Sequence, residues 1–326
     1  MFLLIRSKKG KTVKERLDEI LEDPVFYSLK KCQPDFSSRL VSVEGDASKI
    51  RLGLSEQNWQ MLADEVMIFH CAATTRFDEK LRTAAVRINV QATREALLLA
   101  RVTKRLKSYV HVSTTYSHAT AEYERKEVQE NLINLNYDSI LLIKNWQNTY
   151  TFTKAVAEEA VRTMSEGLPI CIIRPGIVAA TYREPTPGCQ INATVLCKTS
   201  NFTIVLEYEN QPMKKAMVSL SSFCSKEWIF IDNNTEKLYN NLTKKDQLIF
   251  NFDITNINWT EFILIWCIGV RKYIIKEELK STDKGRRKQF WFRNLHYFLS
   301  CVYFYVILQV FLIFYNVFGS LVSMIF

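Results

Sequence analysis

Short apolar segments alternate with longer amphipathic ones through residues 1–175, and this rhythm predicts an α/β fold built on a doubly wound parallel sheet. A second observation agrees. Small and polar clusters, namely Gly45-Asp46, Cys71-Ala-Ala73, Ser113-Thr114 and Arg174-Pro-Gly176, each follow an apolar segment. They fall at the carboxyl ends of the expected strands, where such sheets bind ligands. The third observation concerns the tail. After Arg293 no Asp, Glu, Lys or Arg occurs in the last 33 residues. A bilayer span needs about 20 apolar residues, so the fold is expected to end in a C-terminal helical, membrane-associated segment near 295–318.

Taken in order, Met1 to Ile5 reads as a buried strand, followed by a basic loop from Lys8 to Lys14. Thr12 and Glu15 fit a capping box, and Val13, Leu17, Ile20 and Leu21 share one helical face. Strands are expected at Leu40–Val43, Val66–His70, Tyr109–Val112 and Ile170–Ile173. Helices are expected over 79–102 and 149–166, the latter closed by Gly167, with a further apolar helix from Trp259 to Ile275. Residues 189–250, rich in Asn, Thr, Ser and Lys, give no readable order. The expected parts are therefore 1–188, a divergent 189–255, and 256–326 with the membrane segment.

Composition narrows the function classes. At 48% apolar and 24% charged residues, the 326-residue chain can build a sizeable core. A net charge of +9 suits nucleic acid, an anionic membrane face or a phosphorylated ligand. The cations are not interleaved with aromatics along one stripe, which argues against nucleic acid. The eight cysteines form no C-x-x-C pair and the four histidines have no zinc-like spacing, which argues against a metal. Reduced, mostly buried thiols are expected. Five N-x-S/T sequons, at Asn192, Asn201, Asn233, Asn241 and Asn258, follow no signal peptide and read as chance triplets.

Tyr150 and Lys154 lie four residues apart on an expected helix, so phenol and ammonium can meet one ligand. A neighbouring cation favours phenolate and acid–base work near neutrality. Ser113-Thr114 lies upstream and Arg174-Pro-Gly176 downstream, and a hydroxyl beside the tyrosine would hold a substrate oxygen.

On these residues the chain resembles the extended short-chain dehydrogenase/reductases, and within them the alcohol-forming fatty acyl-CoA reductases of the insect type. The matching stretches include Leu3 to Lys11, Gly45-Asp46, Leu52 to Ser55, Phe69 to Thr74 with Phe77, Asn89-Val90, Val110 to Thr114, Tyr150 to Lys154, Ile172 to Val178 and Glu184 to Gly188. A weaker match resumes at Asn256 to Trp259 and in the basic segment with its apolar tail. The resemblance implies a Rossmann-like domain that reduces long-chain fatty acyl-CoA to fatty alcohol. It implies Tyr150 as proton donor and Lys154 as the group that holds the nicotinamide ribose and lowers the tyrosine pKa. It gives Thr114, with Ser113 as alternate, the substrate oxygen. It places Asp46 at the adenine, Ala72 and Ala73 along the cofactor, Asn89 in support and Arg174 among the cofactor contacts. A peroxisomal or endoplasmic reticulum membrane fits the family, and the basic flank predicts that residues 276–293, and with them the catalytic domain, stay cytosolic. Arg6 ends the first strand, where an NAD site would carry an acid for the ribose hydroxyls. With Lys8 and Lys9 it suits a 2′-phosphate, so NADPH is the expected cofactor.

Two departures accompany the match. None of the nine glycines forms G-x-G or G-x-x-G, so the first strand and glycine turn of the family are expected to be lacking. After Gly188 the family's substrate-binding region is not matched. A sterol-type reductase and a catalytically silent homologue stay open as alternatives.

Overall fold

The computed structural model describes residues 1–8, 10–75, 81–130, 146–189, 223, 226–275 and 282–325. Lys9, Phe77, the sequons at Asn192 and Asn201, and residues 276–281 of the basic flank lie outside the described residues.

The five expected strands form where the apolar runs placed them: β1 (Phe2–Ile5), β2 (Val41–Glu44), β3 (Met67–His70), β4 (Ser108–Val112) and β5 (Ile170–Ile173). All pairings are parallel. They make two sheets rather than one, β1-β2 and β3-β4-β5. Among the described residues no strand joins them.

The helices pack on one face of each sheet. Helix α1 (Val13–Leu21) starts at the expected capping box, with Glu15 N–H donating to Thr12 Oγ1 at 3.2 Å and Thr12 N–H donating to Glu15 Oε2 at 2.7 Å. Its Leu17 and Leu21 close on Ile5 and Phe36. Two short helices, α2 (Tyr27–Cys32) and α3 (Glu56–Leu62), were not foreseen, being too brief to show a period. A π-type helix over Leu81–Gln91 runs directly into α4 (Ala92–Val102). Together with α5 (Thr149–Met164) it covers Tyr109, Ile170 and Ile172. Ala92, Ala96, Leu97 and Ala100 are fully or almost fully buried there. The small side chains let α4 approach closely.

The opposite face of β3–β5 is open. Phe69 is 64% exposed and Ile173 49%, although parallel sheets ordinarily bury both faces. This corrects one expectation. Of the described cysteines only Cys189 is buried, and Cys171 is exposed because it points to the uncovered face. All of those described are free thiols.

Beyond the unread region the chain forms α6 (Asn233–Asn240), α7 (Lys244–Ile249) and α8 (Trp259–Gly269), the last continuing as a π-type turn to Ile275. The chain divides into two compact units, Met1–Val270 and Arg271–Phe326. The second holds α9 (Thr282–Ile325), of which Gly285–Leu312 is long and apolar enough to cross a membrane, with none of it buried.

Leu97 is fully buried between α4 and the sheet. Leu97→Ala is expected to lower unfolding stability by about 2–5 kcal/mol, checked by denaturant titration.

Candidate active site

Asn148 caps α5, accepting from Thr151 N–H at 3.0 Å, and so fixes where the helix begins. The preceding turn is pinned to the loop after β4. Trp146 Nε1 donates to Ser117 O at 2.7 Å and Gln147 Nε2 to Ala119 O at 3.0 Å. Tyr150 therefore enters in the first turn beside the end of β4. Its hydroxyl is hydrogen-bonded with Thr114. Thr114 itself caps a short 3-10 turn, and both Ser113 and Thr114 are buried. One helical turn on, Lys154 is 3% exposed and donates to Val112 O at 2.6 Å. Tyr150, Lys154, Thr114 and Ser113 are thus brought together, as the resemblance implied.

The electrostatics differ from the sequence expectation in one respect. Burial raises the Tyr150 hydroxyl pKa, and the Thr114 hydrogen bond only partly opposes it. The expected lowering by Lys154 does not dominate, because that ammonium is turned to the Val112 carbonyl. Tyr150 is therefore a protonated donor at neutral pH. Burial also brings Lys154 down to about 8, against the upward pull of Glu158 and Cys71. It remains mostly charged at pH 7.

Glu158, one further turn along α5, was missed. It is 4% exposed, yet ionised. Burial works against its charge, but His118, Arg174 and nearby Ser113 outweigh that and hold it down to about 2. His118 Nε2 donates to Oε2 at 2.9 Å, and the Ser117 hydroxyl lies 2.9 Å from Oε1. Arg174 brings Nε to 3.0 Å of Oε1 and its terminal nitrogen to 2.6 Å of Oε2, while also reaching Glu130 at 2.6 Å. Arg174, expected among the cofactor contacts, is engaged by these two acids. The spacing 150, 154, 158 was the signal available, since i, i+4 and i+8 share a helix face.

Beneath lies a polar layer. Asn89, 1% exposed, accepts from Thr74 N–H at 2.8 Å and donates to Thr153 Oγ1 at 2.9 Å. It ties the Cys71–Thr74 segment, with Ala72 and Ala73, to α5. His70 and His111 stack at 5.5 Å. Burial, then the nearby positive charges, bring His70 down to about 3 and His111 to about 4, although Glu158 pulls His111 upward. Both are neutral. Thr93 donates to Asn89 O at 2.7 Å, so His70 Nε2, 3.1 Å away, must be the donor to Thr93 Oγ1.

A second polar recess, of about 410 Å³, opens at the carboxyl ends of β1 and β2. It is lined by Arg6, Gly45, Asp46, Lys49 and neighbours, with Lys8 two residues beyond Arg6. A Cβ at Gly45 would come within 2.8 Å of the Leu52 backbone oxygen, so the loop closes on β2 there only on glycine. Burial opposes the Asp46 charge, but Ser48 and Arg6 hold the carboxyl below its ordinary value. Arg51 and Leu52 adopt left-handed backbone, at φ 50° and 57°. Glu95 Oε2 accepts from Arg51 N–H at 2.8 Å, and Leu52 is buried against α4. These contacts hold the strained loop at the recess.

A depressed carboxylate pKa contributes stability above its unfolded value and loses it as pH falls through the folded one. For Glu158 that window runs from 4.5 down to about 2. The neutral histidines add a loss beginning nearer 6.5. Glu158→Gln is expected to destabilise the chain at pH 7 by about 3 kcal/mol and to lack the loss between 4.5 and about 2, while the histidine part persists. Denaturant midpoints against pH check this.

Comparison with known proteins follows the same lines. A profile described as male sterility protein, an NAD-binding domain, matches residues 1–217, and the Sterile domain of the same description matches 191–277. Human fatty acyl-CoA reductase 2 is 26% identical over 94% of this chain and 85% of its own length. Mouse fatty acyl-CoA reductase 1 is 25% identical over 96% of this chain and 86% of its own. These alignments run over 440 and 445 residues, longer than the chain itself, so both relatives carry internal stretches without a counterpart here. Among solved structures, the terminal R domain of the myxalamid PKS-NRPS pathway is 31% identical, with a TM-score of 0.48, across 61% of this chain and 46% of that one. With the NAD-binding profile covering two thirds of its length, this chain belongs to the male sterility protein family, as a fatty acyl-CoA reductase of the extended short-chain dehydrogenase/reductase superfamily.

Proposed function

We propose that the chain is a membrane-associated reductase that converts long-chain fatty acyl-CoA to fatty alcohol with NADPH. The observation that carries the reading is the Tyr150–Thr114 pair at the end of β4 with Lys154 one turn away. The residues present suit a nicotinamide dinucleotide. Arg6, Lys8 and Asp46 would hold its adenosine end in the polar recess, with the Arg6 charge on a 2′-phosphate. Ala72 and Ala73 would flank its middle, Asn89 would support that segment from beneath through Thr74, and Lys154 would bind the nicotinamide ribose. When bound, the cofactor supplies hydride, two equivalents for each alcohol.

The chain's own groups handle oxygen and protons. As the thioester carbonyl carbon is reduced, negative charge grows on its oxygen. The hydroxyls of Tyr150 and Thr114 donate hydrogen bonds to it. The resulting hemithioacetal breaks its C–S bond, CoA leaves as the thiol, and an aldehyde remains. In the second reduction Tyr150 gives its proton to the oxygen, and the alcohol forms. Ser113, buried beside Thr114, is the alternate donor. The apolar stretch of α9 would keep the chain on the membrane that holds its acyl substrate, peroxisomal or endoplasmic reticulum.

A catalytically silent homologue is the second reading, and the separation of the β1-β2 sheet from β3-β4-β5 favours it. Titration of the purified chain in detergent separates the two, since a silent homologue that lacks the dinucleotide cradle binds neither NADPH nor NADH.

Tyr150→Phe is expected to cut acyl-CoA turnover by about 10²-fold or more and leave NADPH affinity within about tenfold. Retained turnover would refute the role. Arg6→Ala is expected to weaken NADPH binding by about tenfold or more, as loss of a charge-assisted contact does, with NADH binding unchanged. Equal losses for both cofactors would remove the 2′-phosphate assignment.

A further inference from the structure

Helix α9 begins with five cations, Lys284, Arg286, Arg287, Lys288 and Arg293, and no acid follows Asp283 to the chain end. Among the described residues, Arg286, Arg287, Lys288 and Arg293 enter no ion pair. Their recorded partners are rings instead, with Lys288 5.8 Å from Phe292 and Arg293 5.7 Å from Phe290. At about 100° per residue, Arg286 and Arg293 share one side while Arg287 and Lys288 fall on the others. The charge therefore encircles the helix. Phe290, Trp291 and Phe292 do the same one turn deeper, all exposed, Trp291 at 75%. Below them Leu295 to Leu312 carries no charged residue. At 1.5 Å per residue that stretch is about 26 Å long, close to the roughly 30 Å hydrocarbon core of a bilayer.

The cation collar from Lys284 to Lys288, an aromatic belt with Arg293 at its inner edge, and an apolar shaft follow one another along the helix, and match the phosphate, interface and acyl layers of a bilayer entered from one face. Among the described residues, no carboxylate pairs with Arg286, Arg287, Lys288 or Arg293. We propose that this collar binds the headgroups of anionic phospholipids, so that the reductase selects them from the leaflet around α9. The inference rests on the membrane reading above and goes beyond it, because an apolar shaft alone has no preference among headgroups. Each collar cation near an anionic surface strengthens association by about fivefold, enough for a measurable preference even when only part of the collar engages.

The test uses the full chain reconstituted in phosphatidylcholine vesicles and in vesicles with about one third phosphatidylserine, at low and high salt. Spin-labelled phosphatidylserine and phosphatidylcholine report which lipid is held at the protein. The expected result is a preference for phosphatidylserine of about threefold or more, falling with salt. The Arg286→Gln, Arg287→Gln, Lys288→Gln, Arg293→Gln variant should still partition into phosphatidylcholine but hold both lipids equally. Equal association in the native chain, or a preference that the variant keeps, would overturn the proposal while leaving the membrane reading intact. A chain that partitions into neither vesicle would overturn both.

Discussion

The Glu158 carboxylate joins three parts of the molecule that sequence keeps apart. It sits on α5, the helix that carries Tyr150 and Lys154. It accepts from His118 in the loop after β4 and from Arg174 in the loop after β5. An ionised carboxyl at 4% exposure costs several kcal/mol to desolvate unless donors surround it. Here they do, and the same donors lock both strand ends against the helix. The position of Tyr150 relative to Thr114 follows from that lock, because the hydroxyl of Thr114 belongs to one of the loops being held.

The polar layer around this hub replaces what would be apolar core in a purely structural helix–sheet contact. Asn89, Thr93, Thr151 and Thr153 are all at or below 1% exposure, and those whose bonds are resolved spend them on backbone or on each other. Satisfied networks of this kind fix a unique arrangement, where apolar side chains would tolerate sliding. The neutral His70–His111 stack places no competing charge beside Lys154. The lysine therefore keeps its proton at neutral pH although burial works against it.

Much of this was legible beforehand. Five strands fell within one or two residues of expectation, because β-branched and aromatic runs bounded by small residues leave little choice. The capping box of α1 and the start of α5 were equally local. The Tyr150–Lys154 pair was legible because helical periodicity turns a spacing into a shared face. Helices α2, α3, α6 and α7 were not, being too short for a period to emerge.

The sequence by itself determined the class of sheet, the order of its elements, the face shared by Tyr150 and Lys154, and the apolar length of α9, since each depends on residues near one another in the chain. Only the tertiary structure decided how Arg174 is used, what ionises Glu158, and why Tyr150 stays protonated. Those outcomes depend on burial and on partners 16 to 40 residues away, and a desolvation cost exists only once the chain has closed around the group. It also decided that β1-β2 and β3-β4-β5 stand as separate sheets, because strand pairing joins distant segments and no local pattern specifies which edges meet.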